Sequence, residues 1–187
     1  MKKDVKLKAG NEEIELSLPV CKIPGTDKNI IAFDSMGNME IINDIASMLD
    51  KVLPEFDIMI CPEAKAIPIG QALCGIRGTD YYVLRKKAKL YMEDPRALEV
   101  RSITTQEKQQ LWYCGEAVKS LKGKKVLIFD DVISTGATLN VLNTFAAESE
   151  LDVVARACVF AEGDAINRKD IICLGYLPIL SDSELEA

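Results

Sequence analysis

Continuous apolar runs separated by helix-like stretches are the feature that most limits how this chain can fold. The segments "FDIMIC" (56–61), "KKVLIF" (124–129) and "DVVARACVFA" (152–161) are largely apolar and do not alternate with polar residues. Strands of this kind are typical of a parallel sheet that helices cover on both faces. The pattern predicts an α/β fold with a mainly parallel, doubly wound sheet, and a chain of 187 residues suits a single domain.

Local patterns predict the remaining elements. Alternating residues on both sides of Gly10 and Asn11 indicate a β-hairpin. The polar stretch 88–112 has the character of a flexible lid, although a solvated hairpin would have the same composition. We expect one domain over 1–187, with an N-terminal hairpin region at 1–35. Helices are predicted at 39–53, 66–75 and 137–149, and further strands at 30–33, 81–84, 111–114 and 170–175.

Composition excludes several classes of function. The net charge of −6 argues against a nucleic-acid binder, although Arg85, Lys86, Lys87 and Lys89 form a local basic patch. No apolar run approaches the roughly 20 residues of a membrane span, so we expect a cytoplasmic protein without a membrane partner. The chain has no histidine, which removes histidine-activated nucleophiles. Its six cysteines form no C-x-x-C pair and are expected to be reduced.

The segment "VLIFDDVISTGATL" (126–139) is the strongest functional motif. Asp130 and Asp131 come at the end of an apolar strand, where ligands bind in open parallel sheets. The residues from Ser134 to Thr138 are small or hydroxyl-bearing and lead into a predicted helix, whose N-terminus attracts anions. Two carboxylates suit vicinal hydroxyls or a divalent cation, and the loop suits a phosphate. A sugar phosphate satisfies both halves of the motif.

Three other interpretations fit this motif less well. A Walker B strand also ends in acid, but no G-x-x-x-x-G-K-[ST] sequence occurs in the chain. A phosphatase of the D-x-D-x-T type requires a second acid where Val132 stands. An ordinary strand-to-helix turn with a capping threonine explains the loop but not two adjacent aspartates.

The segment "VLIFDDVISTGAT" resembles the signature with which type I phosphoribosyltransferases bind phosphoribosyl pyrophosphate (PRPP). The order of the other segments over 20–180 is similar to the adenine-specific members of that family. "CPEAKAIPIGQAL" stands at the position of their pyrophosphate loop, "VLRKKAKL" resembles their basic segment, and "VFAEGD" falls near their late acidic strand end. The resemblance implies the family's fold, with residues 1–35 in the place of its hood.

The resemblance also implies a role for each matching residue. Asp130 and Asp131 would hold the ribose 2- and 3-hydroxyls. The 5-phosphate would be bound by Ser134, Thr135, Gly136, Ala137 and Thr138. The pyrophosphate would be wrapped by Glu63, Ala64 and Lys65, often with a cis peptide in relatives, and neutralised by Arg85, Lys86 and Lys87, possibly across the interface of a homodimer.

Further roles implied by the resemblance concern the reaction itself. Asp130, Asp131, Lys87 and the lid residue Glu107 would be the catalytic residues, and Phe33 and Ile133 would contact the base. The protein would supply no complete metal site, because Mg²⁺ would arrive with PRPP and lie near the two aspartates.

The implied activity is Mg²⁺-dependent transfer of the phosphoribosyl group to a purine, with release of pyrophosphate in nucleotide salvage. Adenine, giving AMP, is the favoured base, because Ser134 stands where the 6-oxopurine enzymes often carry an aspartate, and orotate enzymes usually have a lid histidine. A xanthine or orotate enzyme stays an alternative. So does a non-catalytic PRPP sensor, although known regulators of that kind carry an added DNA-binding domain.

Overall fold

The structure is a computed structural model that describes residues 1–100 and 109–186. The described residues form eleven strands and five α-helices, with a short 3-10 helix at Gly163–Asn167. The strands are β1 (Lys2–Ala9), β2 (Glu12–Lys22), β3 (Lys28–Ile31), β4 (Ile58–Pro62), β5 (Asp80–Leu84), β6 (Pro95–Val100), β7 (Gln109–Cys114), β8 (Lys125–Ile133), β9 (Asp152–Glu162), β10 (Ile172–Leu177) and β11 (Leu180–Ser181). The helices are α1 (Met39–Val52), α2 (Ala66–Arg77), α3 (Gly115–Lys119), α4 (Ala137–Glu148) and α5 (Asp182–Glu186).

Nine strands form one sheet in the order β11-β3-β2-β1-β10-β9-β8-β4-β5. The five strands from β10 to β5 are parallel, whereas β1, β2, β3 and β11 extend the sheet with antiparallel pairs. Strands β6 and β7 form a separate antiparallel hairpin. The α/β fold expected from the sequence, with a central, mainly parallel sheet that helices cover on both faces, is confirmed.

Two hydrophobic cores lie against the sheet. One contains the buried residues of α1 and α2, such as Ile45, Leu49 and Leu73, whereas the other contains α4 and the β6–β7 hairpin, with Phe145 and Tyr113. The uniformly apolar strand β4 contributes to both cores, because successive side chains point to opposite faces. Helices on both faces are therefore the physical reason for the apolar runs in the sequence.

The direction in which the chain winds through the sheet changes between β4 and β8. From β4 the chain passes through α2 to the edge strand β5, and it later returns to the other side of β4 as β8. The last β4–β8 pair is Ile60 with Ile128, although β8 continues to pair with β9 as far as Ile133. The end of β8 therefore borders an opening at the topological switch point, where ligands bind in such sheets.

Several local predictions are confirmed and others need correction. The hairpin turns at Gly10 and Asn11, and the helix predicted at 39–53 is α1, which ends before Pro54. Strand β8 runs past the two aspartates to Ile133, so they lie inside the strand rather than after it. The β6–β7 hairpin agrees with the hairpin alternative given for the polar stretch, whereas α3, α5, β11 and the 3-10 helix were not predicted. Within the residues described, no helix is long and apolar enough to cross a membrane.

Candidate functional site

Asp130 and Asp131 lie at the opening beyond the last β4–β8 pair. Both are buried, at 8% and 7% exposure, and the Asp131 amide donates a hydrogen bond of 2.9 Å to Asp130 Oδ1. Lys65, which precedes α2, places its Nζ 3.3 Å from Asp131 Oδ2. The last part of β8 thus brings the two aspartates close to the start of α2.

Burial and mutual repulsion dominate the electrostatics of the two acids. Desolvation, followed by the charge of Asp131, raises the pKa of Asp130 well above its ordinary range. The contact of Lys65 with Asp131 is an ion pair without hydrogen-bond geometry, so Asp131 Oδ2 is buried with no hydrogen-bond partner among the described residues. A buried carboxylate oxygen in this state is suited to accept a hydroxyl or a cation.

The phosphate loop, residues 134–138, connects β8 to α4. Gly136 has a φ of +79° at the N-cap of α4, a backbone conformation that favours glycine. A Cβ atom at Gly136 would lie 2.7 Å from Arg168 Nη1, so the guanidinium of Arg168 packs directly on the loop. The loop encloses a small cavity of about 120 Å³, lined by Asp130, Val132, Ile133, Ser134, Thr135, Gly136, Ala137, Thr138 and Leu139. All five residues assigned to the 5-phosphate therefore share one concave surface.

The pyrophosphate turn, residues 63–65, connects β4 to α2, and its Glu63–Ala64 peptide bond is cis. Glu63 Oε1 lies 3.2 Å from Arg85 Nη2, and Glu63 Oε2 accepts a hydrogen bond of 2.9 Å from the Lys86 amide. The Glu63 side chain thereby joins the turn to the start of the basic segment that follows β5. The turn and the basic segment, which the sequence resemblance assigns to the pyrophosphate, are therefore adjacent within one chain.

Residues 33–35 hold the other end of the turn. Lys65 Nζ donates a hydrogen bond of 3.1 Å to the Phe33 carbonyl, and Ser35 Oγ donates one of 2.6 Å to the Lys65 carbonyl. Ser35 is only 1% exposed. These contacts join the segment between β3 and α1 to a turn some thirty positions later.

A cavity of about 780 Å³ connects the acids with the pyrophosphate turn. Its volume is in the range of small-molecule sites. The predicted site residues in its lining are Glu63, Ala64, Lys65, Lys86, Lys87, Asp130, Asp131 and Thr138. The other lining residues are Pro62, Ala88, Gln110, Leu111, Trp112 and Val132. Residues from four separate segments of the sequence therefore meet around one space.

Outside the phosphate loop, three predicted site residues of the described chain do not line this cavity. The Phe33 ring is 4% exposed and packs edge-to-face on Phe160 at 5.0 Å, so in this structure it lies in the core and cannot stack on a base. Ile133 is 2% exposed and lines only the small cavity. Arg85 is turned to Glu63, with its Nε buried and without a hydrogen-bond partner in the described chain. Glu107 lies outside the described residues.

Sequence reasoning missed three residues that the structure brings to the site. Ser35 contacts the turn, Arg168 packs on the phosphate loop, and Trp112 of β7 lines the large cavity. For Trp112 a signal existed, because it is the chain's one tryptophan and lies in the stretch with lid character. No local pattern distinguishes Ser35 or Arg168, since both contacts depend on the tertiary fold.

The acidic pair fits a magnesium ion that arrives with its substrate. Mg²⁺ is usually held by one or two carboxylates together with substrate phosphates, rather than by a complete protein cage. Asp130 and Asp131 supply two carboxylates, and Asp131 Oδ2 has an ion-pair contact with Lys65 but no hydrogen-bond partner among the described residues. Over the described parts of the chain, no group of three or more acidic or cysteine side chains could bind a metal alone.

Known proteins match both the sequence and the fold. The family described as "Phosphoribosyl transferase domain" matches residues 36–184. A hypoxanthine/guanine phosphoribosyltransferase of Methanothermus fervidus is 33% identical over 144 residues, which are 76% of this chain and 68% of that protein. An adenine phosphoribosyltransferase of Thermosipho africanus is 33% identical over 137 residues, which are 70% of this chain and 72% of that protein.

Solved structures lead to the same family. The crystal structure of adenine phosphoribosyltransferase from Thermoanaerobacter pseudethanolicus has a TM-score of 0.64 and 25% identity, over 74% of this chain and 82% of that one. The Saccharomyces cerevisiae enzyme has a TM-score of 0.58 over 75% of this chain and 81% of its own, and with 18% identity it supports the fold alone. Because the family match extends over most of the sequence, this chain belongs to the phosphoribosyltransferase family of enzymes.

Proposed function

We propose that this chain transfers the 5-phosphoribosyl group of PRPP to a purine base, preferably adenine, and releases pyrophosphate in nucleotide salvage. One observation carries the proposal. Two buried aspartates and a turn bordered by basic residues line the same cavity of about 780 Å³, and the phosphate loop adjoins it through Asp130 and Thr138. PRPP has hydroxyls, a 5-phosphate and a pyrophosphate in a matching arrangement.

Each part of the site would bind one part of PRPP. Asp130 and Asp131 would accept hydrogen bonds from the ribose hydroxyls. Residues 134–138 would bind the 5-phosphate, because loop amides at the N-terminus of α4 favour an anion. The pyrophosphate turn would hold the leaving group, with Lys86 and Lys87 supplying positive charge from the cavity wall.

The chemistry follows from the groups that are present. Breaking the bond between C1 and the pyrophosphate oxygen leaves positive charge on the ribose and adds negative charge to the leaving group. Lys65, Lys86 and Lys87 can stabilise that negative charge, and no side-chain nucleophile is required. When bound, Mg²⁺ would neutralise further charge on the pyrophosphate. The base attacks C1 as its N–H proton departs, so orientation of the base contributes the rest.

Water must be kept from a cationic ribose centre, because water would capture it. Leu111 and Trp112 of β7 place apolar surface on the cavity wall. We propose that the segment 88–112, which contains the β6–β7 hairpin, acts as the lid of the site. Glu107 would act from this lid on the base, as the sequence resemblance implies.

Adenine is proposed as the base, on two grounds. Ser134 begins the phosphate loop with a hydroxyl rather than with the aspartate frequent in 6-oxopurine enzymes. The solved structure from Thermoanaerobacter pseudethanolicus, which is 25% identical, is that of an adenine phosphoribosyltransferase. The names of the similar sequences are divided between hypoxanthine/guanine and adenine, so the base must be decided by experiment.

The test is a panel of adenine, hypoxanthine, guanine, xanthine and orotate with PRPP and Mg²⁺, followed by release of pyrophosphate. We expect turnover with purines, and the highest kcat/KM with adenine. The double variant Asp130→Asn with Asp131→Asn should lose at least about a thousandfold in kcat/KM, because it replaces both charged acceptors for the ribose hydroxyls with neutral amides.

Each other outcome has a definite meaning. A higher kcat/KM with hypoxanthine or guanine would refute the adenine preference but not the enzyme class. Tight PRPP binding without turnover on any base would refute catalysis and support a sensor. If turnover survived the double substitution, the assignment of the ribose site would be wrong.

A further inference from the structure

The segment Phe33–Ser35, here called the latch, forms two hydrogen bonds with Lys65 of the pyrophosphate turn. The Phe33 carbonyl accepts a hydrogen bond from Lys65 Nζ at 3.1 Å, and Ser35 Oγ donates to the Lys65 carbonyl at 2.6 Å. Both the main chain and the side chain of Lys65 are therefore fixed from outside the turn. Lys65 Nζ also lies 3.3 Å from Asp131 Oδ2.

Among the described residues, the buried hydroxyl of Ser35 forms one hydrogen bond, to the Lys65 carbonyl. Ser35 is 1% exposed, and a buried hydroxyl is tolerated when it forms a hydrogen bond. Lys65 is the N-cap residue of α2, and its own side chain forms no capping hydrogen bond. The latch thus adds a contact from a remote segment to the β4–α2 connection.

The latch also lies outside the part of the chain that the family match explains. That match begins at residue 36, one position after Ser35. Strand β3 ends at Ile31, so the latch joins the N-terminal hairpin region to the site.

We propose that Ser35 is a positioning residue for the pyrophosphate turn. Through the Lys65 carbonyl it holds the turn in the conformation that accepts pyrophosphate, and it does not touch the ligand itself. The inference rests on the proposed function, because it assumes that residues 63–65 bind the pyrophosphate end of PRPP. It predicts that binding of the pyrophosphate end of PRPP depends on Ser35, whereas binding of the ribose 5-phosphate end does not.

The test measures the two ends separately by calorimetry with Mg²⁺, using pyrophosphate and ribose 5-phosphate as probes. In Ser35→Ala the Kd of pyrophosphate should rise about tenfold, because the Lys65 carbonyl loses the hydrogen bond from Ser35 that holds the turn. The Kd of ribose 5-phosphate should change less than about twofold. Ser47→Ala is the matched control: its exposed hydroxyl donates to the Asn43 carbonyl at 2.9 Å within α1, and neither Kd should change.

A second variant guards against misfolding. Ser35→Cys keeps a weak donor of similar size and should weaken pyrophosphate binding by an intermediate factor, with circular dichroism verifying the fold of each variant. An unchanged pyrophosphate Kd, or an equal loss for both probes in folded protein, would overturn the inference. Wild-type protein that binds ribose 5-phosphate but not pyrophosphate would overturn it too. Binding of neither probe by the wild type would instead refute the proposed function.

Discussion

The phosphate loop and the pyrophosphate turn lie on opposite sides of the switch point, and they are built in different ways. The loop is local: the Ala137 amide contacts Thr135 Oγ1 at 3.4 Å, and the Asn140 amide donates to the Gly136 carbonyl at 2.9 Å. The turn depends on remote segments, since its hydrogen-bond and ion-pair partners include Ser35, Arg85 and Asp131.

Because of this difference, we expect the loop and the turn to be sensitive to substitutions at different places in the chain. A local loop can be disturbed only by changing its own backbone or the side chain packed on it, whereas a turn held by distant partners can be disturbed from several places. Damage to the loop should be confined to binding of the 5-phosphate. Damage to the turn should appear in pyrophosphate binding and should follow any change in its partners.

The largest effect should come from Gly136→Ala. The φ of +79° costs a non-glycine residue roughly 1–2 kcal/mol, and the new Cβ would lie 2.7 Å from Arg168 Nη1. We expect ribose 5-phosphate to bind about a hundredfold more weakly, with pyrophosphate binding changed less than about threefold. Calorimetry with each probe separates the two effects.

The control for Gly136→Ala is Gly10→Ala in the β1–β2 turn. Gly10 has a φ of +59° and nothing within 4 Å of an added Cβ, so this variant has the backbone cost without the clash or the proximity to the site. It should lower the melting temperature and leave both affinities unchanged. Equal losses for both probes in Gly136→Ala would show that the two regions are not independent.

The contrast also explains how much of the site could be predicted from sequence. The loop and the acids form one contiguous motif, "DDVISTGAT". Its residue types alone indicate hydroxyl or cation binding by the acids and phosphate binding by the loop. Helix α1 was predicted for a similar reason, because its apolar stripe and Pro54 are local signals. The turn and its basic neighbours were located through family resemblance and not through spacing.

What could not be predicted depends on contacts between remote residues. Strand β6 begins with a proline and an arginine, and it is paired along its whole length with β7. Phe33 has the chemistry of a base-stacking residue, but Phe160 from β9 holds its ring in the core. The contacts of Ser35 with Lys65 and of Arg168 with Gly136 likewise require that the fold be known.

A smaller effect is expected from Glu63→Gln, which tests whether remote partners support the turn. The substitution removes the charge that pairs with Arg85 at 3.2 Å but keeps an acceptor for the Lys86 amide. Pyrophosphate should bind about fivefold more weakly, because an oriented, partly buried cation is released from its partner. Ribose 5-phosphate binding should not change.

Glu116→Gln is the matched control for this charge removal. Glu116 pairs with Lys119 at 2.6 Å on the exposed surface of α3, and such pairs contribute little. Neither affinity should change in this variant. If Glu63→Gln bound pyrophosphate as tightly as the wild type, the Glu63–Arg85 contact would not contribute to the conformation of the turn.

The smallest effect concerns the acids between the two regions, and it is an effect on stability. Because burial and Asp131 raise the pKa of Asp130 in the folded protein, the folded state binds more protons than the unfolded state once the pH exceeds the unfolded value of about 3.9. Ionisation of Asp130 therefore destabilises the fold increasingly as the pH rises. Asp130→Asn removes this cost, and its side-chain oxygen can still accept the hydrogen bond from the Asp131 amide.

We expect Asp130→Asn to melt a few degrees above the wild type at pH 8, with the difference shrinking toward pH 4, although we also expect the variant to lose activity. Thermal unfolding across this pH range measures it, and Asp44→Asn, which changes an exposed acid of α1, should show no such trend. A difference that stayed constant with pH would mean that the pKa of Asp130 is not raised in the folded protein. A gain confined to high pH would instead show that ionised Asp130 opposes folding in the ligand-free protein, whereas the phosphate loop and the pyrophosphate turn are stabilised by contacts of the protein itself.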